Sequence, residues 1–251
     1  MEKFEFRPRT SAEIIQDSFR LCGDTLATSV SLALVAHLPL LLISGMLAEG
    51  RQANPVPLLF SLGIAIVLTG IVLTAITVVQ AAALTGASIG AWHGLALAFR
   101  RPIRSVVLAY MLSNLVSHLG LLLLVVPGLA AGGLLAAAIP AIIVEGKDTF
   151  SGMKRSAGLL SNYWLTGVNT FIFGVLMWEV LPLLAVTGLH VIAGEGPFSP
   201  LLAALLGSIT MPFALAANLL LYFSARARLG EQGSPGGLRE EVRKLIAEDA
   251  P

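Results

Sequence analysis

The sequence predicts an all-α fold: a polytopic membrane helix bundle of about six transmembrane helices, with amphipathic helices along its cytoplasmic side. Three observations carry that prediction. Charged residues make up 12% of the 251-residue chain and apolar residues 56%, with a mean hydropathy of +0.84. A water-facing domain uses about 25% charged residues to clothe its surface. Four stretches contain no Asp, Glu, Lys or Arg, namely 25–48, 52–99, 105–144 and 196–225. Each is longer than the roughly 20 apolar residues that one span of the hydrocarbon core requires. The basic residues, finally, gather in alternate connections between those stretches, as the positive-inside bias demands.

Residues 1–24 read as an N-terminal interfacial amphipathic helix. Thr10-Ser11-Ala12-Glu13 has the capping-box pattern, in which hydroxyl and carboxylate satisfy the first free amides of a helix. Ile15, Phe19 and Cys22, with Ile14 and Leu21 beside them, stand opposite Glu13, Gln16 and Arg20. Such a helix is expected to lie in the headgroup plane. Residues 1–23 hold no apolar core, so no cleavable signal peptide is expected and the first span serves as the insertion signal.

The membrane domain is expected over 25–228, with spans at about 25–47, 56–84, 105–126, 129–144, 163–192 and 200–223. The second charge-free stretch raises a question, because its 48 residues would make a helix of ~72 Å against a ~30 Å core. Counting 85–99 as interfacial gives six spans and places fifteen of the sixteen Lys and Arg on one side, with Arg51 alone across. Counting it as a further span leaves twelve on one side and four on the other. The bias selects six spans and two cytoplasmic termini. Gly86, Gly90 and Gly94 repeat every fourth residue, either a surface for close helix approach or the tolerance of a glycine-rich chain.

Val126-Pro127-Gly128 is expected to break the third span and turn the chain at membrane depth. The sixteen residues of 129–144 then give only ~24 Å of helix, a thin crossing or a re-entrant arm, with Pro140 near its inner end. Gly128, Gly132 and Ala136 form a small-residue ridge for tight packing. A second interfacial helix follows, with Phe150, Met153, Ala157, Leu160 and Trp164 on one face and Lys154 and Arg155 turned away. The cytoplasmic tail, 229–251, closes with a short charged helix over 238–248. Its Leu238, Val242, Leu245 and Ile246 are placed to dock beneath the membrane domain.

Val126-Pro127-Gly128, then Pro140-Ala141-Ile142-Ile143-Val144-Glu145-Gly146, then Met153-Lys154-Arg155-Ser156 follow one another in an order that resembles a bacterial family. It is that of the glycerophosphoryl diester phosphodiesterase membrane domain and related multi-pass inner-membrane proteins, largely of unknown function. The resemblance extends from the amphipathic lead-in to Leu221-Tyr222-Phe223-Ser224-Ala225-Arg226-Ala227-Arg228. Leu134 stands where such proteins commonly carry an arginine, and Ser224 and Ala225 where an acidic residue is usual. The resemblance implies a membrane domain without the soluble catalytic one, in the bacterial cytoplasmic (inner) membrane.

A net charge of +1 and the lack of a basic stripe argue against a nucleic-acid partner. The single Cys22 excludes an internal disulfide framework and a multi-cysteine metal site. No phosphate-cradling loop, zinc-spaced His-Glu motif or nucleophile elbow is present, so no enzymatic activity, cofactor or metal is expected. The candidate site is an intramembrane polar cluster of Glu179, His118, His37 and Asn114, which Asn169 and Asn218 are placed to join. His37, His118 and Glu179 fall at one level, ~20–24 Å from the inner ends of their spans, and Glu179 is expected to pair with His118 or His37. A charge at that depth costs at least ~2.5 kcal/mol unless paired or watered. The cluster is therefore either a binding pathway or polar glue between helices.

The resemblance, with no enzyme motif set against it, implies a non-catalytic accessory or organising factor in envelope or lipid homeostasis. Its expected partners are membrane lipids, further copies of itself, or other membrane proteins. The alternatives are a small-molecule or proton-coupled transporter using the cluster and, third, an intramembrane lipid-processing enzyme.

Overall fold

A computed structural model describes residues 4–48, 55–193, 199–230 and 237–247, which are helical throughout apart from turns and short connections. The helices are α1 (Ser11–Ala48), α2 (Pro55–Leu84), α3 (Ala91–Phe99), α4 (Ile103–Leu123), α5 (Val125–Leu135) and α6 (Ala138–Glu145). They continue with α7 (Thr149–Leu160), α8 (Trp164–Val175), α9 (Leu181–Ala193), α10 (Ser199–Arg228) and α11 (Gly237–Ala247). Six segments are long and apolar enough to cross a membrane: Ser11–Pro39, Leu59–Leu84, Ile103–Leu123, Val125–Glu145, Thr149–Ile192 and Ser199–Arg228. The all-α polytopic bundle read from the sequence is what the chain adopts.

The capping box starts α1 as expected. Glu13 accepts from the Thr10 amide at 2.8 Å, and the Glu13 amide donates back to Thr10 Oγ1 at 3.3 Å. The expected division between an in-plane helix and a first span near residue 24 is absent, because α1 runs unbroken through Gly23 and Asp24. Its buried face is centred on Ile14, Ser18, Leu21 and Cys22. Phe19 sits at the margin, half exposed, against the rings of Phe173 and Phe213. What decides this is α10, which packs along α1 and supplies an apolar wall where the interfacial reading assumed lipid.

α10 is the pole of the bundle, in contact with α1, α2, α8 and α9. From Ala214 to Ala225 nearly every side chain is buried, with Tyr222 and Phe223 among the largest enclosed groups. Across from it, Gln80 on α2 donates to the Pro212 carbonyl at 2.8 Å.

Residues 85–99 form no span. α2 ends at Leu84, the chain turns at Gly86 with φ +85°, and α3 has only nine residues. Gly86, Gly90 and Gly94 therefore make no continuous ridge. Gly86 serves the turn, Gly90 caps α3 in extended conformation, and Gly94 alone admits a close neighbour. A Cβ there would lie 2.6 Å from Val79 Cγ2 on α2.

The turn expected at Val126-Pro127-Gly128 lies earlier, at Leu124, whose φ −153° and ψ 115° separate α4 from α5. Pro127 falls in the first turn of α5, where its missing N–H has no intrahelical acceptor to lose. α5, α6 and the two residues between them make a 21-residue segment, Val125–Glu145, long enough to cross, so the short arm over 129–144 is corrected. The small-residue ridge meets two neighbours. Gly128 backs onto Gly120 and Leu121 of α4, while Gly132 meets the Phe171 ring of α8. Gly133, Gly167 and Val168 close that second crossing backbone to backbone.

Ala136 and Ala137 interrupt the α5–α6 segment. Pro140 lacks the N–H that would have bonded the Ala136 carbonyl, so the break follows from the sequence. The fully buried Ser156 of α7 repairs it by donating to the Leu134 carbonyl at 2.7 Å and accepting from the Ala137 amide at 3.2 Å.

α7 packs through Thr149, Gly152, Ser156, Leu159 and Leu160, so of the bulky face read from the sequence Leu160 is buried and Met153 packs on the core, while Phe150 and Trp164 do not. Phe150 is 74% exposed, and Arg155 turns inward to Glu145 rather than away. Small residues win because α6 passes close: a Cβ on Gly152 would meet Ile142 Cγ1 at 2.2 Å. Asp148 caps α7, and the Ser151 hydroxyl and amide that donate to it hold its carboxyl below the usual carboxylate range. The cap contributes fully above Asp148's ordinary range and is lost as the pH falls through the lowered value. Gly158, with open space around its Cα, gives a simple check on α7. Gly158→Ala is expected to raise stability by about 0.5–1 kcal/mol in a thermal melt of the purified protein.

Below α10, segment 4–10 and α11 form a cap. Arg9, 3% exposed, bonds Asp17 at 2.8 Å and the Glu5 carbonyl at 2.8 Å. Its backbone amide donates to Ser224 at 2.7 Å, and its carbonyl accepts from the Tyr163 hydroxyl. Of the tail residues expected to dock, Val242 and Leu245 are buried in the main core and Ile246 packs on it, while the side chain of Leu238 lies outside the described residues.

Candidate functional site

The cluster read from the sequence divides into two places. The first is a cavity of about 100 Å³ among α4, α5, α8 and α10. Tyr110, Ser113, Asn114 and Ser117 face it from α4, Trp178 and Glu179 from the turn between α8 and α9, and Asn218 from α10. Two glycine crossings hold its walls. α5 lies against α4 at Gly128 and against α8 at Gly133, which fixes the α4 residues opposite α8 and α10.

Glu179 is positioned by a π-helical turn, Leu176–Val180. The Leu181 amide donates to the Leu176 carbonyl, five residues back rather than four. Pro182 follows and supplies no N–H to the Trp178 carbonyl, which favours the wider turn at this point. One added residue per turn rotates Trp178 and Glu179 toward α4. The Trp178 ring stacks on Tyr110, centroids 5.8 Å apart at 21°, and Glu179 Oε2 lies 3.3 Å from His118 Nε2.

The His118–Glu179 pair joins α4 to the π turn at the outer rim of the cavity, with side chains 49% and 47% exposed. His118 is oriented by its other nitrogen, 2.8 Å from the Asn114 carbonyl. Asn114 in turn donates to the Tyr110 carbonyl at 2.8 Å. α4 packs extensively on α5 and less on α2, α6 and α7. On the side of the π turn, the rim is bridged by these side-chain contacts.

His37 does not join this group. Its Nδ1 lies 2.9 Å from the Ala33 carbonyl and 3.0 Å from Ser208 Oγ, and its ring rests against Gly207 of α10. It borders a second hollow, of about 330 Å³, with Leu41, Pro182 and Ala203. Trp178 lines both hollows and so forms part of the wall between them. The level of His37 in its span matched that of Glu179, but depth alone carries no information about which helix face a residue occupies. Asn169 also lies elsewhere, donating to Ser11 Oγ at 3.1 Å, and His190 pairs with Ser199 at 2.6 Å.

Sequence reasoning missed Tyr110, Ser113, Ser117 and Trp178. A signal for the first three was present: Tyr110, Ser113, Asn114 and Ser117 recur at helical spacing on α4, a polar stripe on a helix otherwise apolar. Trp178 had none, because a tryptophan beside a carboxylate has no preferred direction until the helix around it is known.

A second polar network closes the other end of the bundle. Glu145, 13% exposed, accepts from Arg155 Nε at 2.9 Å and from the Tyr222 hydroxyl at 2.8 Å. Arg226 donates to Tyr222 and to Glu241 of α11, each at 2.8 Å. This chain of bonds ties α6, α7, α10 and α11 together.

Among the described residues no group of three or more His, Cys, Asp or Glu is placed to hold a metal ion. Compared with known protein families, curated proteins and solved structures, the chain matches none.

Proposed function

We propose that this chain is a non-catalytic membrane protein of lipid or envelope homeostasis, and that its cavity takes the polar part of an amphiphile from the surrounding bilayer. One observation carries the reading: a largely apolar cavity that holds several hydrogen-bonding side chains, with a half-exposed His118–Glu179 pair beside it. Polar glue between helices is expected to be enclosed, since its value lies in excluding alternatives to the contact. This pair is not enclosed, and the cavity behind it is lined by further hydrogen-bonding groups.

The resemblance to the glycerophosphoryl diester phosphodiesterase membrane-domain family supports the same setting. On that resemblance the proposed setting is a bacterial inner membrane. Both termini are assigned to the cytoplasm, because Arg9, Arg155, Arg226 and Arg239 gather with segment 4–10 and α11 at one end.

The test is native mass spectrometry of the protein released from nanodiscs formed with its host's lipids. The wild type is expected to retain a bound amphiphile, and Asn218→Leu, which fills the cavity without altering charge, to lose it at unchanged thermal stability. Retention by Asn218→Leu would end the proposal. A transporter is the second reading, favoured by the π turn and the broken α5–α6 segment beside the cavity. It requires Glu179-dependent solute flux in proteoliposomes, which the first reading does not.

A further inference from the structure

We infer that the cavity selects an organic cation, the ammonium or quaternary ammonium end of a membrane amphiphile. This rests on the reading that the cavity takes a ligand, and adds the chemical class. Glu179 is the one acidic residue among its lining residues, and no Lys or Arg lines it. An anionic head would sit beside a carboxylate with no basic side chain to answer it, in surroundings that screen little.

The aromatic content points the same way. Tyr110, Phe171 and Trp178 all contribute to the wall, and ring faces attract cations through their quadrupole. Tyr110 and Trp178 are stacked beside Glu179, so a carboxylate and aromatic surface meet at one place. Asn114 already spends an amide N–H on the Tyr110 carbonyl, which leaves its oxygen as an acceptor. Acceptors and rings are what an ammonium group needs.

The present partner of Glu179 is exchangeable. His118 lies 3.3 Å away, longer than the ~2.7–2.9 Å of a tight charge-assisted bond, and stands outside the cavity lining. A cation entering at the rim replaces it. Size limits what enters: about 100 Å³ is well below the roughly 300–1,000 Å³ of pockets that enclose whole small molecules. The cavity takes a headgroup while the alkyl chain stays outside, along the exposed Leu115, Leu119 and Leu183.

The experiment compares three probes of equal chain length on the full-length protein in nanodiscs: decyltrimethylammonium, decyl phosphate and decyl maltoside. Binding is read from tryptophan fluorescence, with Trp92 and Trp164 replaced by phenylalanine so that Trp178 reports. Decyltrimethylammonium is expected to bind at least about tenfold more tightly than decyl phosphate, and tetramethylammonium but not sodium to displace it. Glu179→Gln is expected to erase the preference, and His118→Gln, which removes the competing partner, to strengthen cation binding. Equal affinity for the cationic and anionic probes, or a preference that survives Glu179→Gln, overturns the inference. Should Glu179→Gln not fold, the wild-type comparison and His118→Gln decide. Asn218→Leu separates the two levels of the argument. If all three probes bind alike and Asn218→Leu abolishes binding, only the cation class fails. If no probe binds, or binding ignores Asn218→Leu, the ligand-binding reading fails with it.

Discussion

Gly128→Ala is expected to force α4 and α5 apart and to cost at least about 3 kcal/mol, the upper part of the overpacking range. The new Cβ would stand 2.2 Å from the Leu121 nitrogen and 2.5 Å from the Gly120 carbonyl carbon. Both are backbone atoms, so no rotamer relieves the clash and the helices themselves must move. With a total stability on the order of 5–15 kcal/mol, that loss is large. It also travels, because Gly133 of the same helix meets the Val168 backbone of α8 and Gly167 meets the Gly133 carbonyl. Thermal unfolding in detergent, followed by size-exclusion recovery, measures it. Gly63→Ala is the control, since nothing lies within 4 Å of its added carbon. A Gly128→Ala protein as stable as the control would mean that α4 and α5 do not cross at these glycines.

Glu145→Gln is expected to lower stability by about 3 kcal/mol and to release α11 from the bundle. Glu145 is 13% exposed and serves Arg155, Tyr222 and, at 3.4 Å, Lys147. A glutamine keeps one acceptor but turns an N–H₂ toward one of these donors and leaves a guanidinium uncompensated. Because Tyr222 also receives from Arg226, and Arg226 holds Glu241, the loss reaches the tail helix. Limited proteolysis of α11 and the melting temperature report it together. Tyr222→Phe removes two hydrogen bonds to charged groups, the one donated to Glu145 and the one accepted from Arg226, and is expected to cost about 3 kcal/mol as well. Protection of α11 unchanged in both variants would show that the tail docks independently of this network, through Val242, Leu245 and the Arg101 and Arg239 bonds.

The elements that the sequence made legible are those governed by local rules. Thr10 and Glu13 fix the start of α1 within their own four residues, the charge-free stretch 196–225 bounds α10 closely, and the end of α2 needed the positive-inside bias as well. The misplaced features depended on partners far along the chain. Pro127 was read as a breaker, yet a proline suits the first turn of a helix as well as a turn between helices. Only Gly128 lying against Gly120 shows which applies. The bulky stripe of α7 overlaps the packing face only at Leu160 and Met153, and the face is centred on small residues because α6 comes too near Gly152 for large side chains. In the site, the pairing of Glu179 with His118 followed from depth, and the exclusion of His37 did not. Depth is a coordinate along a helix, whereas the partition by Trp178 is a matter of azimuth. A π turn shifts azimuth by an amount that hydropathy does not encode.

The Ser156 repair of the α5–α6 break carries a consequence for biogenesis. Residues 125–145 precede Ser156 in the chain and leave the ribosome ahead of it. Until α7 emerges, the Leu134 carbonyl and the Ala137 amide lack the hydroxyl that later satisfies both. Unpaired backbone groups are costly in hydrocarbon, so the hairpin stays unfinished for those codons, in reach of water or the insertion machinery. Completion of this hairpin thereby waits on a serine from the helix that follows it.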